Sequence, residues 1–246
     1  MEGSAFLRRL FSIYSKLKDK FAGLYVHIPF CLRKCPYCGF ISFETAVGVP
    51  DWYVDCLARD LAHEAPRWKD LRFGSIYFGG GTPSLLEGKQ LRRILCLIRQ
   101  LLRIEDQAEI TVECNPSSIT RQKIEEYVEA GVTRISLGIQ SLVEVELQLL
   151  GRLHSPYQAQ EALKVCQNSG IGNLNADVML GIPSQSVDSL SLTLQRLIGE
   201  VQHISCYILT VEKRTPYEEL VLSGNIPMPA EETVVGLYEK ASSLLS

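Results

Sequence analysis

The chain has 246 residues, 46% of them apolar and 22% charged, with a formal net charge of −3. That balance describes an ordinary folded domain and excludes collagen-like, disordered and small disulfide-stapled chains. The slight acidity argues against a broad nucleic-acid-binding surface, and no apolar run reaches the roughly 18 residues that would read as a transmembrane helix.

In the first 22 residues, Phe6, Leu7, Leu10, Ile13, Tyr14, Leu17 and Phe21 recur three or four apart, with Arg8, Arg9, Lys16, Lys18 and Lys20 between them. The spacing predicts a basic amphipathic helix. Such a helix packs its stripe on the domain, touches a membrane surface peripherally, or acts as an organelle-targeting peptide, in which Glu2 and Asp19 would sit awkwardly. The segment lacks the continuous apolar core and small-residue cleavage site of a secretory signal. Reduced thiols and a cytoplasmic location are therefore expected.

Residues 23–246 read as one domain. Short apolar or alternating runs bounded by Gly, Pro or Asn predict strands over 24–28, 75–78, 109–114, 134–139, 173–180 and 203–209. Helical patterns lie between and after them, over 51–68, 88–103, 121–130, 156–169, 186–200 and 230–245, with Thr120 and Gly131 as start and stop signals for the third. Six β-then-α units in a row imply a parallel sheet with helical crossovers. Periodicity alone leaves an open doubly wound sheet and a barrel equally available, but both gather function at the carboxyl ends of their strands. There this sequence places a cysteine loop after the first strand and Gly79, Gly80, Gly81 and Thr82 after the second. Glu113 and Asn115 end the third, Gln140 and Ser141 the fourth, and Asp177 falls within or near the end of the fifth. One shared site is expected at that rim.

Eight cysteines divide into two sets. Cys56, Cys96, Cys114, Cys166 and Cys206 are scattered among apolar neighbours and read as small buried hydrophobes. Cys31, Cys35 and Cys38 fall within eight residues. Thiolates hold iron–sulfur clusters, and a fully protein-ligated [4Fe–4S] cluster takes four of them. Three thiolates in a tight loop would leave one iron open to a small molecule. Zinc would want a fourth ligand, for which His27 is the nearby candidate, although nothing else here reads like a zinc fold.

The segment LYVHIPFC at 24–31, continued by Cys35 and Cys38, resembles the cluster loop of the radical S-adenosylmethionine (SAM) superfamily. More narrowly, it is similar to the oxygen-independent coproporphyrinogen III oxidases and the related HemW-type heme chaperones. Further segments resemble the same group in order: YFGGGTPS at 77–84, TVECNP at 111–116, RISLGIQS at 134–141, LGRLH at 150–154, DVMLGIP at 177–183 and HISCYILT at 203–210. The resemblance implies a partial (β/α)6 TIM-like barrel, open on one side, that carries a [4Fe–4S] cluster on Cys31, Cys35 and Cys38. It also implies SAM bound at the open iron and cleaved reductively, a step whose difficult chemistry the cofactor supplies.

By the same resemblance, Gly80, Gly81 and Thr82 would contact SAM, and Tyr25 would sit beside the cluster. Tyr37 would adjoin the adenine, Gln140 would add an amide contact, and Arg152 would pair its planar fork with the SAM carboxylate. Glu113 and Asp177 are carboxylates on apolar strands, where an unpaired charge is costly. Ribose hydroxyls would suit them, and an internal salt bridge between Arg152 and Asp177 is the plainer alternative. His154 and His203 read as structural histidines.

Two departures refine the expectation. The oxidases carry a further cysteine two residues after the third ligand, where this chain has Phe40, which favours the HemW type. Family members also continue into a C-terminal domain, with a His-Asn-x-x-Tyr-Trp-like segment in the chaperones. That domain is expected to be absent or truncated here, since the sequence ends at Ser246. The expected function is a SAM-binding cluster protein that binds heme and delivers it to acceptor proteins, with an electron donor as a further partner. A coproporphyrinogen III oxidase is the alternative, and a radical enzyme acting on another substrate is the third reading.

Overall fold

A computed structural model of the chain describes residues 22–246; the amphipathic segment expected over 1–22 lies almost wholly outside them. Among the described residues there are eight strands: β1 (Ala22–Ile28), β2 (Phe30–Cys31), β3 (Phe43–Glu44), β4 (Arg72–Gly80), β5 (Arg103–Cys114), β6 (Arg134–Gln140), β7 (Asn173–Leu180) and β8 (His203–Ile208). The α-helices are α1 (Asp51–Trp68), α2 (Gly88–Leu101), α3 (Arg121–Ala130), α4 (Glu144–Leu149), α5 (Pro156–Gln167), α6 (Val187–Leu197), α7 (Pro216–Leu222) and α8 (Glu231–Leu245). Six strands form one all-parallel sheet in the order β1-β4-β5-β6-β7-β8, so each strand lies beside its predecessor in the α/β series. Among the described residues no ladder joins β8 back to β1. This is the expected partial (β/α)6 barrel with an open side.

The period-2 alternation of the strands sorts the two faces. Val26, Ile28, Ile76, Phe78, Ile110, Val112, Ile135, Ala176 and Val178 are buried in the core shared with the helices. In α2, Leu91, Ile94, Leu95 and Ile98 repeat at helical spacing and are buried in that core. Each such side chain stabilises the fold by roughly 1.5–3 kcal/mol. Cys96 lies outside that stripe and is exposed, which corrects its reading as a buried hydrophobe. Cys114 and Cys166 are buried as expected, and Cys56 and Cys206 are partly so.

The concave face is polar instead. Asn175 Nδ2 donates to Ser136 Oγ (2.6 Å) and Asp177 Oδ1 (2.8 Å), while its Oδ1 accepts from His203 Nδ1 (2.6 Å) and Ser205 Oγ (3.0 Å). A closed barrel fills its lumen with layers of branched apolar side chains. Here a network of hydrogen bonds does that work beneath the carboxyl rim, and each member has a partner. No helix among the described residues is long and apolar enough to cross a membrane.

Candidate active-site cleft

The cysteine loop is fastened to the sheet by backbone. Phe43 N–H donates to Pro29 O (2.7 Å) and Thr45 N–H to Cys31 O (2.8 Å), so β2 and β3 close the loop's base. Gly81 N–H then donates to Ile28 O (2.9 Å) and Thr82 N–H to Phe30 O (2.7 Å), tying the glycine run after β4 to the loop after β1. The approach admits no side chain: a Cβ on Gly81 would stand 2.7 Å from Phe30 O and 3.0 Å from Cys31 Sγ. Gly80, at φ +121°, takes a conformation that side chains rarely allow.

Within the loop, Cys38 N–H donates to Cys35 O (3.0 Å), a tight turn that brings the second and third thiols together. Thr82 Oγ1 contacts Cys31 Sγ at 3.5 Å and Arg152 Nη1 contacts Cys35 Sγ at 3.6 Å. Burial raises the Cys38 thiol pKa, and Cys35 and Cys31 beside it push the same way. The raised pKa keeps that thiol protonated until a cation stabilises the thiolate, because metal ligation requires the deprotonated sulfur.

A cleft of about 440 Å³ opens over these groups at the carboxyl rim. Cys31, Cys35, Tyr37, Cys38, Gly80, Gly81, Thr82, Glu113, Gln140, Arg152 and Asp177 all line it. Tyr25 alone among the expected residues is not part of that lining. It is 55% exposed, stacks on Tyr77 with ring centres 6.2 Å apart, and its hydroxyl lies 2.9 Å from His27 Nδ1. His27 Nε2 lies 3.0 Å from Ile41 O, so both ring nitrogens of the candidate fourth zinc ligand are engaged. Among the described residues no three Cys, His, Asp or Glu side chains are grouped as a single ion would need. A [4Fe–4S] cluster asks for a different arrangement, one thiolate on each of three irons, and Cys31, Cys35 and Cys38 all line the one cleft.

The polar residues of the cleft suit a zwitterion. Arg152 Nη2 donates to Gly138 O at 2.7 Å, while its Nε is shut off from solvent and lacks a partner among the described residues. No ion pair joins Arg152 to Asp177 among the described residues, against the plain salt-bridge alternative. Burial works against the guanidinium charge, but Tyr37 and Cys35 more than offset it. A buried, charged, under-bonded fork is what an incoming carboxylate would satisfy.

Opposite it, Glu113 accepts from Tyr77 Oη (2.7 Å) and Gly80 N–H (3.2 Å), and Asp177 accepts from Asn175 and from Ser136 Oγ (3.1 Å). Burial raises the pKa of both carboxyls, and Asp177 adds to the shift of Glu113. Sequence reasoning missed Tyr77 and Tyr207, whose hydroxyls bond Glu113 and Gln140, the latter at 2.5 Å. The period of the strands held the signal: Tyr77 stands two residues before Gly79 on β4, and Tyr207 four after His203 on β8.

Comparison with known proteins agrees with this geometry. The family model for the radical SAM superfamily matches residues 25–197. The chain is 37% identical over 227 residues to the heme chaperone HemW of Escherichia coli, covering 91% of this chain and 58% of that protein. It is 32% identical over 244 residues to the zebrafish "radical S-adenosyl methionine domain-containing protein 1, mitochondrial", covering 99% of this chain and 55% of that one. The chain thus spans under three-fifths of these relatives' length. Among solved structures, the E. coli coproporphyrinogen III oxidase HemN, a radical SAM enzyme, superposes with a TM-score of 0.79 at 25% identity, over 91% of this chain and 52% of HemN.

Proposed function

The chain belongs to the radical SAM superfamily, and we propose that within it this protein is of the HemW type: a [4Fe–4S] protein that binds SAM and carries heme to acceptor proteins in the cytoplasm. The observation that carries the reading is the three-thiol loop held over Gly80, Gly81 and Thr82 with the under-bonded Arg152 facing the same cleft. Cys31, Cys35 and Cys38 would hold the cluster, and Gly80, Gly81, Thr82, Tyr37, Gln140 and Arg152 would hold SAM. Glu113 and Asp177 would accept from hydroxyls, and Tyr25 would stand at the open side of the barrel. The cluster, when bound, supplies the electron for reductive SAM cleavage. Arg152 would pair with the SAM carboxylate through the nitrogen that has no partner among the described residues.

Phe40, 68% exposed at the cleft, occupies the position where the oxidases carry a further cysteine. With the HemW relatives, it favours a carrier over an oxidase. The likeness to HemN keeps the oxidase as the reading to test against. The reconstituted protein should be incubated anaerobically with SAM, a strong reductant and coproporphyrinogen III, and then with hemin. A carrier yields no protoporphyrinogen and retains a heme absorbance band through gel filtration. Catalytic formation of protoporphyrinogen overturns it. Cys35→Ala should abolish cluster assembly, read as iron and acid-labile sulfide per chain; iron and sulfide retained in that variant would refute the ligand assignment.

A further inference from the structure

Gln140 ends β6 with φ at +67°, a conformation uncommon outside glycine. Around it Ser141 N–H donates to Ile139 O at 2.8 Å, closing a three-residue turn. A γ-turn with positive φ at its centre is strained and persists only where its surroundings hold it. Here the loop after α4 does so. His154 Nε2 donates to the same Ile139 O at 3.1 Å, and Arg152 Nη2 donates to the preceding carbonyl, Gly138 O, at 2.7 Å. Two side chains two residues apart thus grip consecutive carbonyls. His154 is 3% exposed, and burial, reinforced by the Arg152 charge, lowers its pKa to about 4. It is therefore neutral at physiological pH, with its single proton on the nitrogen that faces the carbonyl.

The side chain of Gln140 is fixed from β8, the edge strand two places along the sheet from β6. Tyr207 Oη donates to Gln140 Oε1 at 2.5 Å, across from β8 to β6. The bond fixes which end of the amide faces Tyr207, so the Nε2 donors are turned away from it. We propose that His154 and Tyr207 are positioning residues that set Gln140, His154 through the backbone turn and Tyr207 through the amide, so that Gln140 presents N–H donors to an oxygen of SAM. The inference rests on the SAM reading of the cleft. It gives roles to the 150–154 and 203–210 segments, whose His154 and Tyr207 the proposed function leaves idle.

The test uses the full chain with its cluster reconstituted and measures SAM affinity by anaerobic calorimetry in Y207F, Q140A and the double variant. Y207F should weaken SAM roughly three- to tenfold, the worth of one hydrogen bond, and should cost nothing further in the Q140A background. Equal losses in both backgrounds would make Tyr207 a direct contact and overturn its assigned role.

For His154 the readout needs no ligand. H154A should speed amide hydrogen exchange in the peptide containing residues 139–142, and H154Q, which restores an N–H donor, should return exchange and SAM affinity toward wild type. Unchanged exchange in H154A would overturn the clamp. A wild-type chain that binds no SAM while H154A still loosens 139–142 would refute the SAM reading and support the backbone clamp.

Discussion

Arg152 is the residue on which the cleft's chemistry turns: of its three nitrogens, Nη1 and Nη2 each touch the protein and Nε has no partner among the described residues. Lysine lacks the planar fork, so it cannot span Gly138 O and Cys35 Sγ while meeting a carboxylate with two parallel bonds. Arg152→Lys should weaken SAM binding tenfold or more, about 1.5–3 kcal/mol for a charged hydrogen bond, with iron and sulfide content unchanged. His154 gives a cleaner electrostatic prediction. Its folded pKa of about 4 lies below the ordinary 6.5, so the folded chain binds fewer protons than the unfolded one in between. Its stabilisation is present above pH 6.5 and is lost as pH falls through about 4. His154→Gln removes the titration. The stability of that variant relative to wild type should therefore rise on acidification by up to about 3 kcal/mol, read from urea midpoints of the metal-free proteins across that window.

At the scale of elements, legibility followed how local the cause was. α1, α3 and β7 begin and end where periodicity and capping signals put them. β5 starts at Arg103, six residues before the apolar run that announced it. Its leading RIEDQA is polar, and it extends only because β4 pairs with it, Arg72 opposite Arg103 and Phe73 opposite Ile104. Pairing is a tertiary cause that a single strand's sequence does not display. α4, six residues long, is too short to show a period, and α7 had only its Thr215 cap and Pro216 to mark it. The residues proposed for cluster and SAM were named through motif resemblance, and all but Tyr25 line one cleft. Tyr77 and Tyr207 were not, because their partners stand on other strands, Glu113 on the adjacent β5 and Gln140 across β7 on β6.

Missing α7 mattered, since it backs the cysteine loop: Tyr217 N–H donates to Pro36 O (3.1 Å), and its buried ring meets Tyr37 edge-on at 6.3 Å. Tyr217→Ala should cost roughly 3–5 kcal/mol, as large aromatic truncations do. It should also raise hydrogen exchange around residues 36–38 above the change elsewhere in the chain.

At the scale of the whole molecule, six strands instead of eight leave the barrel with two edges and a lumen that apolar layers do not fill. Polar groups occupy it, and two of them, Glu113 and Asp177, are carboxyls whose pKa burial lifts above their ordinary 4.5 and 3.8. A carboxyl lifted in this way makes the folded chain hold more protons than the unfolded one, so its contribution to stability is present at low pH and declines as pH rises through the folded pKa. Glu113→Gln removes one such site, and the stability of the metal-free variant relative to wild type should climb as pH rises from about 4.5 toward neutrality. The scaffold thus carries a cost at neutral pH that an occupant can relieve. A ligand bringing a positive centre and hydroxyl donors into the cleft stabilises the charged carboxylates, so saturating SAM should flatten the difference between wild type and Glu113→Gln. A difference that persists undiminished in the SAM-bound proteins would mean that Glu113 faces something other than SAM.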